Sequence, residues 1–156
     1  MFKNKILLAL FLIVGAFSSC KKDTYNADEQ LKADDKLIVD FIAKNNIAAI
    51  KHSSGLYYQI QAAGTGSATY MSSTNVSVNY EGRLLNGTVF DKSTTTATFP
   101  LGNLIVGWQI GIPLIQKGGK IRLIIPSTLA YRNTSPSSAI PANSVLDFTI
   151  ELINAQ

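Results

Sequence analysis

Cysteine and histidine are nearly absent from this chain: Cys20 and His52 are each the only residue of their kind in 156. A single cysteine can close no disulfide within the chain. One histidine and one cysteine leave no zinc cluster and no Cys-His nucleophile pair. A Ser-His-Asp triad would have to use His52, which follows a helical segment, where a surface cap is the simpler reading. The two glycines of AAGTGSA lack the fingerprint and the following helix of a nucleotide loop. NSVLD and NVSVN offer no metal-ligand spacing. Charge is sparse too, at 15% of residues, with 14 basic against 10 acidic. No basic cluster interleaved with aromatics stands out, so nucleic-acid binding has no support. Chemistry that relies on a metal, a covalent intermediate or a cofactor is therefore not expected.

The N-terminus is distinctive. Residues 1–20, MFKNKILLALFLIVGAFSSC, hold two lysines, an apolar run from Ile6 to Phe17, then small residues and Cys20. The run is too short to span a bilayer comfortably, and its flanks match a secretory signal. Cys20 after Ser18 and Ser19 resembles the lipobox of bacterial lipoproteins, in which that cysteine receives lipid and becomes the mature N-terminus. Phe17 departs from the leucine usual at its position, and an ordinary secretory signal with a chance cysteine is the other reading. Removal of residues 1–19 takes away Lys3 and Lys5, leaving 12 basic and 10 acidic residues, so the net charge falls from +4 to +2. Lys21 and Lys22 follow the cysteine, where some lipoproteins carry the aspartate that retains them at the inner membrane. The expectation is a lipid-anchored protein of the cell envelope, at the outer membrane.

Three segments follow from composition: a signal at 1–19, a tether and N-terminal helix at 20–52, and a folded domain at 53–156. CKKDTYNADEQ is polar and lacks apolar periodicity, as a tether would. From about Ala27 to Asn46, Leu31, Ile38, Phe41 and Ile42 recur near helical spacing with acids early in the segment. Asn45 and Asn46 suit its end. One apolar stripe implies docking, onto the domain or onto a partner. Beyond KHSSG the pattern turns to strands. LYYQIQ is the first; VSVNYEG places Val76, Val78 and Tyr80 on one face. LLNGTVFD carries an Asn-Gly turn between apolar stretches. KIRLIIP and VLDFTIELI also alternate, the latter with Leu146, Phe148, Ile150 and Leu152 opposite Asp147, Thr149 and Glu151. One helix fits between them, from about Trp108 to Gln116, short or bent because Pro113 lies inside it. The fold class is α+β: an antiparallel sheet wrapped over one short helix, preceded by an N-terminal helical extension.

What the chain does have is aromatic residues at turns. Tyr80, Phe90, Phe99, Trp108, Tyr131 and Phe148 come from separate expected elements, each near a glycine, a proline or a turn. Core packing would explain any one of them. Trp108, the only tryptophan, stands in LIVGWQIGIPLI at the entrance to the short helix, either as core or as the floor of a pocket. Asp91 directly after Phe90, and Leu104-Ile105 before Trp108, complete a recognisable set.

From about Ser53 to Gln156 the sequence resembles the FKBP-type peptidyl-prolyl isomerases. VSVNYEGRLLNGTVFDKS is similar to the family's strand pair, FPLGNLIVGWQIGI to the segment entering its helix, and KGGKIRLIIP to the turn and strand that follow. IPSTLAYRN carries Tyr131 at the place of a pocket tyrosine, and IPANSVLDFTIELI, from Ile140, resembles the closing strand. The resemblance implies a pocket with Trp108 under a substrate proline ring, walled by Tyr80, Phe90, Phe99, Leu104, Ile140 and Phe148. It implies that the Ile105 N–H and the Tyr131 hydroxyl hold substrate carbonyls and that Asp91 orients Tyr80. It further implies action on proline-containing unfolded or partly folded proteins, a monomer given the short N-terminal helix, and binding of macrolides. The simpler readings remain: Asp91 could satisfy a turn, Tyr131 could be a core tyrosine, and Phe148 would be buried either way.

Departures fall in the loops. KSTTTAT between Asp91 and Phe99 is shorter than is common in the family, Ala97 falls where many relatives carry an aromatic, and Arg132 stands where glycine is common. These bear on substrate preference and macrolide affinity. The alternative function is a non-catalytic binding or chaperone module on the same fold.

Overall fold

The computed structural model describes residues 25–156. The leader and Cys20 lie outside that range. Among the described residues no helix is long and apolar enough to cross a membrane.

Helix α1 spans Ala27–Lys44. Asn26 starts it: its side-chain oxygen accepts the N–H groups of Asp28 at 3.1 Å and Glu29 at 3.3 Å, satisfying donors that the first turn leaves unpaired. Asp28 and Glu29 in the first turn and Lys44 in the last complement the helix dipole. Asn45 caps the end, and Asn46 turns the chain out at φ 51°. The apolar stripe docks on the domain itself. Ile38 is fully buried in a cluster with Ile47, Tyr57, Ile124 and Val145, and Phe41 and Ile42 pack at its edge.

Seven strands follow: β1 (Ile50–Lys51), β2 (Tyr57–Ala62), β3 (Asn75–Leu84), β4 (Val89–Lys92), β5 (Ala97–Pro100), β6 (Lys120–Ile125) and β7 (Leu146–Ala155). They form one antiparallel sheet in the order β1-β2-β6-β7-β3-β4, with β5 also on β3. The long β3 makes this possible. One edge pairs with β7, while the other pairs first with β5 and then with β4. Register shifts at Ser77/Val78 and Gly82/Arg83 bend it. β1 and β5 had no counterpart in the sequence reading.

The short helix is shorter than the sequence suggested. α2 spans Val106–Gly111, and a 3-10 turn at Ile112–Leu114 takes up Pro113, so the expected Trp108–Gln116 helix is corrected at both ends. Proline has no N–H to continue the α ladder. α2 lies directly on β6. A Cβ at Gly107 would meet Ile125 Cγ2 at 2.5 Å, and one at Gly111 would meet Leu123 Cδ2 at 2.5 Å. Only glycine permits that approach at i and i+4, and the close approach brings Trp108, next to Gly107, into the core against the sheet.

The sheet is therefore covered on both faces. Leu146, Phe148, Ile150 and Leu152 face α2 in the main core, as their alternation implied. Asp147, on the opposite face, is buried as well, because α1 covers it. Its carboxylate accepts Arg122 Nε at 2.8 Å and Nη2 at 2.7 Å, and the guanidinium lies 5.8 Å from the centre of the Phe41 ring. His52 caps no helix: α1 ends at Lys44, and His52 instead closes the turn between β1 and β2. Its Nδ1 accepts the Ser54 N–H at 3.1 Å.

Candidate active site

The open end of the bowl holds a cavity of about 280 Å³ lined by Tyr80, Asp91, Phe99, Asn103, Leu104, Ile105, Trp108, Tyr131 and Phe148. β3 supplies Tyr80, β4 Asp91, β5 Phe99 and β7 Phe148. The segment entering α2 supplies Asn103, Leu104 and Ile105, α2 supplies Trp108, and the loop after β6 supplies Tyr131. The wall residues run from Tyr80 to Phe148 in the sequence, and the fold assembles them.

Trp108 is 4% exposed. Its ring meets Tyr80 and Phe148 edge-on, with centroids 5.2 Å away in each case and interplanar angles of 77° and 89°. Phe90 stacks edge-on against Phe148 at 5.4 Å. Phe90 and Ile140 are thus set apart from the other residues singled out in the sequence. Neither is among the residues lining the cavity: Phe90 backs Phe148, and Ile140 is buried in the main core. Edge-to-face contacts of this kind add about 0.5–1.5 kcal/mol beyond burial, so the aromatic group is a rigid unit. Gly82 leaves room for it. A Cβ there would meet Phe148 Cε1 at 2.5 Å and Phe90 Cζ at 2.7 Å.

The polar groups are few. Tyr80 donates its hydroxyl to Asp91 Oδ2 at 2.8 Å. Ser93 fixes the Tyr80 backbone on both sides: its Oγ accepts the Tyr80 N–H at 2.9 Å, and its own N–H donates to the Tyr80 carbonyl at 3.0 Å. Burial first, and then the Asp91 hydrogen bond, push the Tyr80 phenol up to about 12. The Tyr131 phenol is also raised, by burial and then by the Asp91 charge. Both hydroxyls therefore stay protonated at neutral pH; the Tyr80 proton is committed to Asp91, which leaves the Tyr131 hydroxyl to donate to a ligand. Ile105 is the N-cap of α2, and its N–H meets no backbone acceptor among the described residues. The Trp108 indole N–H is buried and likewise without an acceptor among them.

Asn103 on the wall and Gln109 behind it escaped the sequence reading. Gln109 Nε2 donates to the Leu104 carbonyl at 2.7 Å and reaches the Gly102 carbonyl at 3.3 Å, pinning the loop that carries Leu104 and Ile105. A polar residue after the lone tryptophan of a short apolar helix was the available signal. What the arrangement can do is bounded by its chemistry. It is an apolar cavity with one uncommitted phenol donor at Tyr131, a Tyr80–Asp91 pair and a free backbone N–H, and it suits a small rigid apolar group flanked by carbonyls.

Residues 66–153 match the family model described as FKBP-type peptidyl-prolyl cis-trans isomerase. The FKBP-type peptidyl-prolyl cis-trans isomerase FkpA of Aeromonas hydrophila is 36% identical over 153 residues, 96% of this chain and 55% of that protein. FkpA of Escherichia coli strain K12 is 45% identical over 107 residues, 67% of this chain and 39% of that protein. This chain spans about half the length of such relatives. Among solved structures, FkpA from E. coli superposes with a TM-score of 0.70 at 35% identity, covering 83% of this chain and 62% of the other. A peptidyl-prolyl cis-trans isomerase from Pseudomonas syringae pv. tomato superposes with a TM-score of 0.71 at 31% identity, covering 85% and 98%. The family match spans more than half of the sequence, from before β3 into β7, and it contains the whole cavity wall; this chain belongs to the FKBP-type peptidyl-prolyl cis-trans isomerase family.

Proposed function

We propose that this chain is a peptidyl-prolyl cis-trans isomerase acting on unfolded or partly folded proteins of the cell envelope. The observation that carries the reading is the aromatic cavity floored by Trp108, with the Tyr80–Asp91 hydrogen bond on its rim. An X-Pro bond exchanges over tens to hundreds of seconds, because rotation must break amide conjugation at a barrier near 18–20 kcal/mol. No nucleophile is required. A proline ring over Trp108, walled by Tyr80, Phe99, Leu104 and Phe148, leaves water behind. The planar amide is more polar than the twisted one, so desolvation raises the ground state relative to the transition state. Each tenfold in rate needs only about 1.4 kcal/mol.

In this reading the Ile105 N–H and the Tyr131 hydroxyl hold substrate carbonyls on either side of the rotating bond. Phe90 and Ile140 act from behind the wall, as supports for Phe148 and the core. Asp91 keeps the Tyr80 hydroxyl turned away from the proline ring and sets the field at the rim. A macrolide that presents a proline-like ring would occupy the same space.

The chain is organised as a leader at 1–19, a tether and helix at 20–52, and the isomerase domain at 53–156. Cys20 carries the lipid, which holds a monomer at the outer membrane, where slow prolines delay the folding of envelope proteins. Mass spectrometry of the protein from its native membrane tests the anchor. An unmodified Cys20 thiol would refute it.

The direct test of activity is a protease-coupled or NMR exchange assay with short X-Pro peptides bearing an apolar residue before proline. The wild-type chain should accelerate exchange, and Asp91→Ala and Tyr131→Phe should each lose roughly three- to thirtyfold, equivalent to about 0.7–2 kcal/mol. No rate above buffer, together with saturable peptide binding, would instead make the protein a binding module.

A further inference from the structure

We infer that Asp34, on the helix that precedes the domain, is a positioning residue for Tyr131, through which α1 sets the geometry of the cavity wall; its consequence for rate rests on the isomerase reading above. Asp34 is fully buried, as is Ser127, its partner 93 positions away in sequence. Asp34 Oδ2 accepts the Ser127 N–H at 2.7 Å and the Ser127 hydroxyl at 2.6 Å, while Oδ1 accepts Gln30 Nε2 at 2.8 Å. Hydrogen bonds to an ionised acceptor are short and roughly twice as strong as neutral ones. A buried carboxylate deprived of them is costly. The helix therefore cannot slide or roll without stranding this group.

Ser127 opens the 3-10 turn Ser127–Leu129, and that turn delivers Tyr131. The Ser127 carbonyl accepts the N–H groups of Ala130 at 3.0 Å and Arg132 at 2.8 Å, one on each side of Tyr131. Beyond it, Arg132 lies at φ 55° and its carbonyl accepts the Asn143 N–H at 2.7 Å. Ser127 is thus gripped by Asp34 through its N–H and hydroxyl, and brackets Tyr131 through its carbonyl. α1 is also held on the sheet by Asp35, which accepts the Tyr57 hydroxyl and pairs with Lys51 away from the turn, and by apolar docking through Ile38. The apolar docking is non-directional and the Asp35 contacts reach β1 and β2, whereas the Asp34 bonds reach Ser127 and fix where the turn begins.

The experiment uses the full chain. Asp34→Ala should lower kcat about three- to tenfold with little change in KM, the size of effect that such coupled networks carry. It should also shift the NMR resonance of labelled Tyr131 and speed hydrogen exchange at the Ala130 and Arg132 amides. Asp34→Asn, which keeps one acceptor oxygen, should recover part of each. In a Tyr131→Phe background, Asp34→Ala should cost little more. Ile38→Val loosens the apolar dock without touching the turn and should leave the Tyr131 signal and kcat in place. Full additivity with Tyr131→Phe, or equal losses from Ile38→Val, would overturn the assignment. If Asp34→Ala does not fold, Ser127→Ala removes the 2.6 Å bond alone and must show the same pattern. If the wild-type chain does not isomerise proline, the isomerase reading fails, and the Tyr131 resonance and amide exchange still decide the coupling.

Discussion

Gly82→Ala places a single methyl group where the aromatic unit is tightest. Gly82 pairs with Asp91 on one side and Phe148 on the other, near the C-terminal end of β3. The added carbon would lie 2.5 Å from Phe148 Cε1 and 2.7–2.8 Å from two Phe90 carbons. Ordinary carbon contacts begin near about 3.5 Å, so both rings must recede by roughly 1 Å. Phe148 can recede only against its neighbours, because it is held edge-on between Phe90 at 5.4 Å and Trp108 at 5.2 Å. Overpacking of this kind costs about 1–3 kcal/mol. Alanine in a strand recovers about 0.5–1 kcal/mol of the entropy that glycine loses on folding. The net loss is about 0.5–2 kcal/mol, or a fall of roughly 2–7 °C in Tm for a chain of this size. Thermal and urea unfolding read it directly, and peptide affinity should fall as Phe148 is driven towards Trp108. Adding Phe90→Leu should relieve the clash, so the double variant should be more stable than the sum of the two single losses by about 0.5–1.5 kcal/mol. A Gly82→Ala protein with wild-type Tm and affinity, or strict additivity with Phe90→Leu, would refute the close-packed wall.

Arg132 holds φ 55° without being glycine. The left-handed region costs a residue with a Cβ about 1–2 kcal/mol, offset in part by the about 0.4–1 kcal/mol that glycine's extra freedom gives the unfolded chain. Arg132→Gly should therefore be more stable to urea than Arg132→Ala by roughly 0.5–1 kcal/mol; equal stabilities, or the reverse order, would refute strain at this position. Alkaline titration tests the Tyr80–Asp91 pair. A phenol raised in the folded state to about 12, above the ordinary 10, adds stability that is present in full below pH 10 and lost as pH rises through about 12. The stability difference between wild type and Tyr80→Phe should be flat below pH 9 and shift against wild type above pH 10, and a late-titrating phenolate should vanish from the ultraviolet absorbance of the variant. A difference that is constant across that range would refute it.

The sequence by itself determined which residues are apolar on which face. The alternation of VLDFTIELI, the stripe of α1 and the turn signal of LLNGTVFD are local patterns, and local sterics and burial act on them directly. The motifs around Tyr80, Phe90-Asp91, Leu104-Ile105, Trp108 and Tyr131, in their order, resembled one family, and that resemblance implied one pocket. Two-residue β1 and four-residue β5 were not legible, because segments so short hold no period and form only because β2 and β3 offer open edges. The polar face of β7 did not reveal that Asp147 is buried, since only the docking of α1 covers it. Phe90 and Ile140 carried the same aromatic and apolar signal as the wall residues, yet the folded chain sets them outside the lining of the cavity. Nothing near Asp34 in the sequence pointed to Ser127. A carboxylate finds its donors through the packing of α1 against the far end of the chain, and contacts at that separation leave no local trace. Periodicity fixes what each element buries; only the tertiary structure decides what it is buried against.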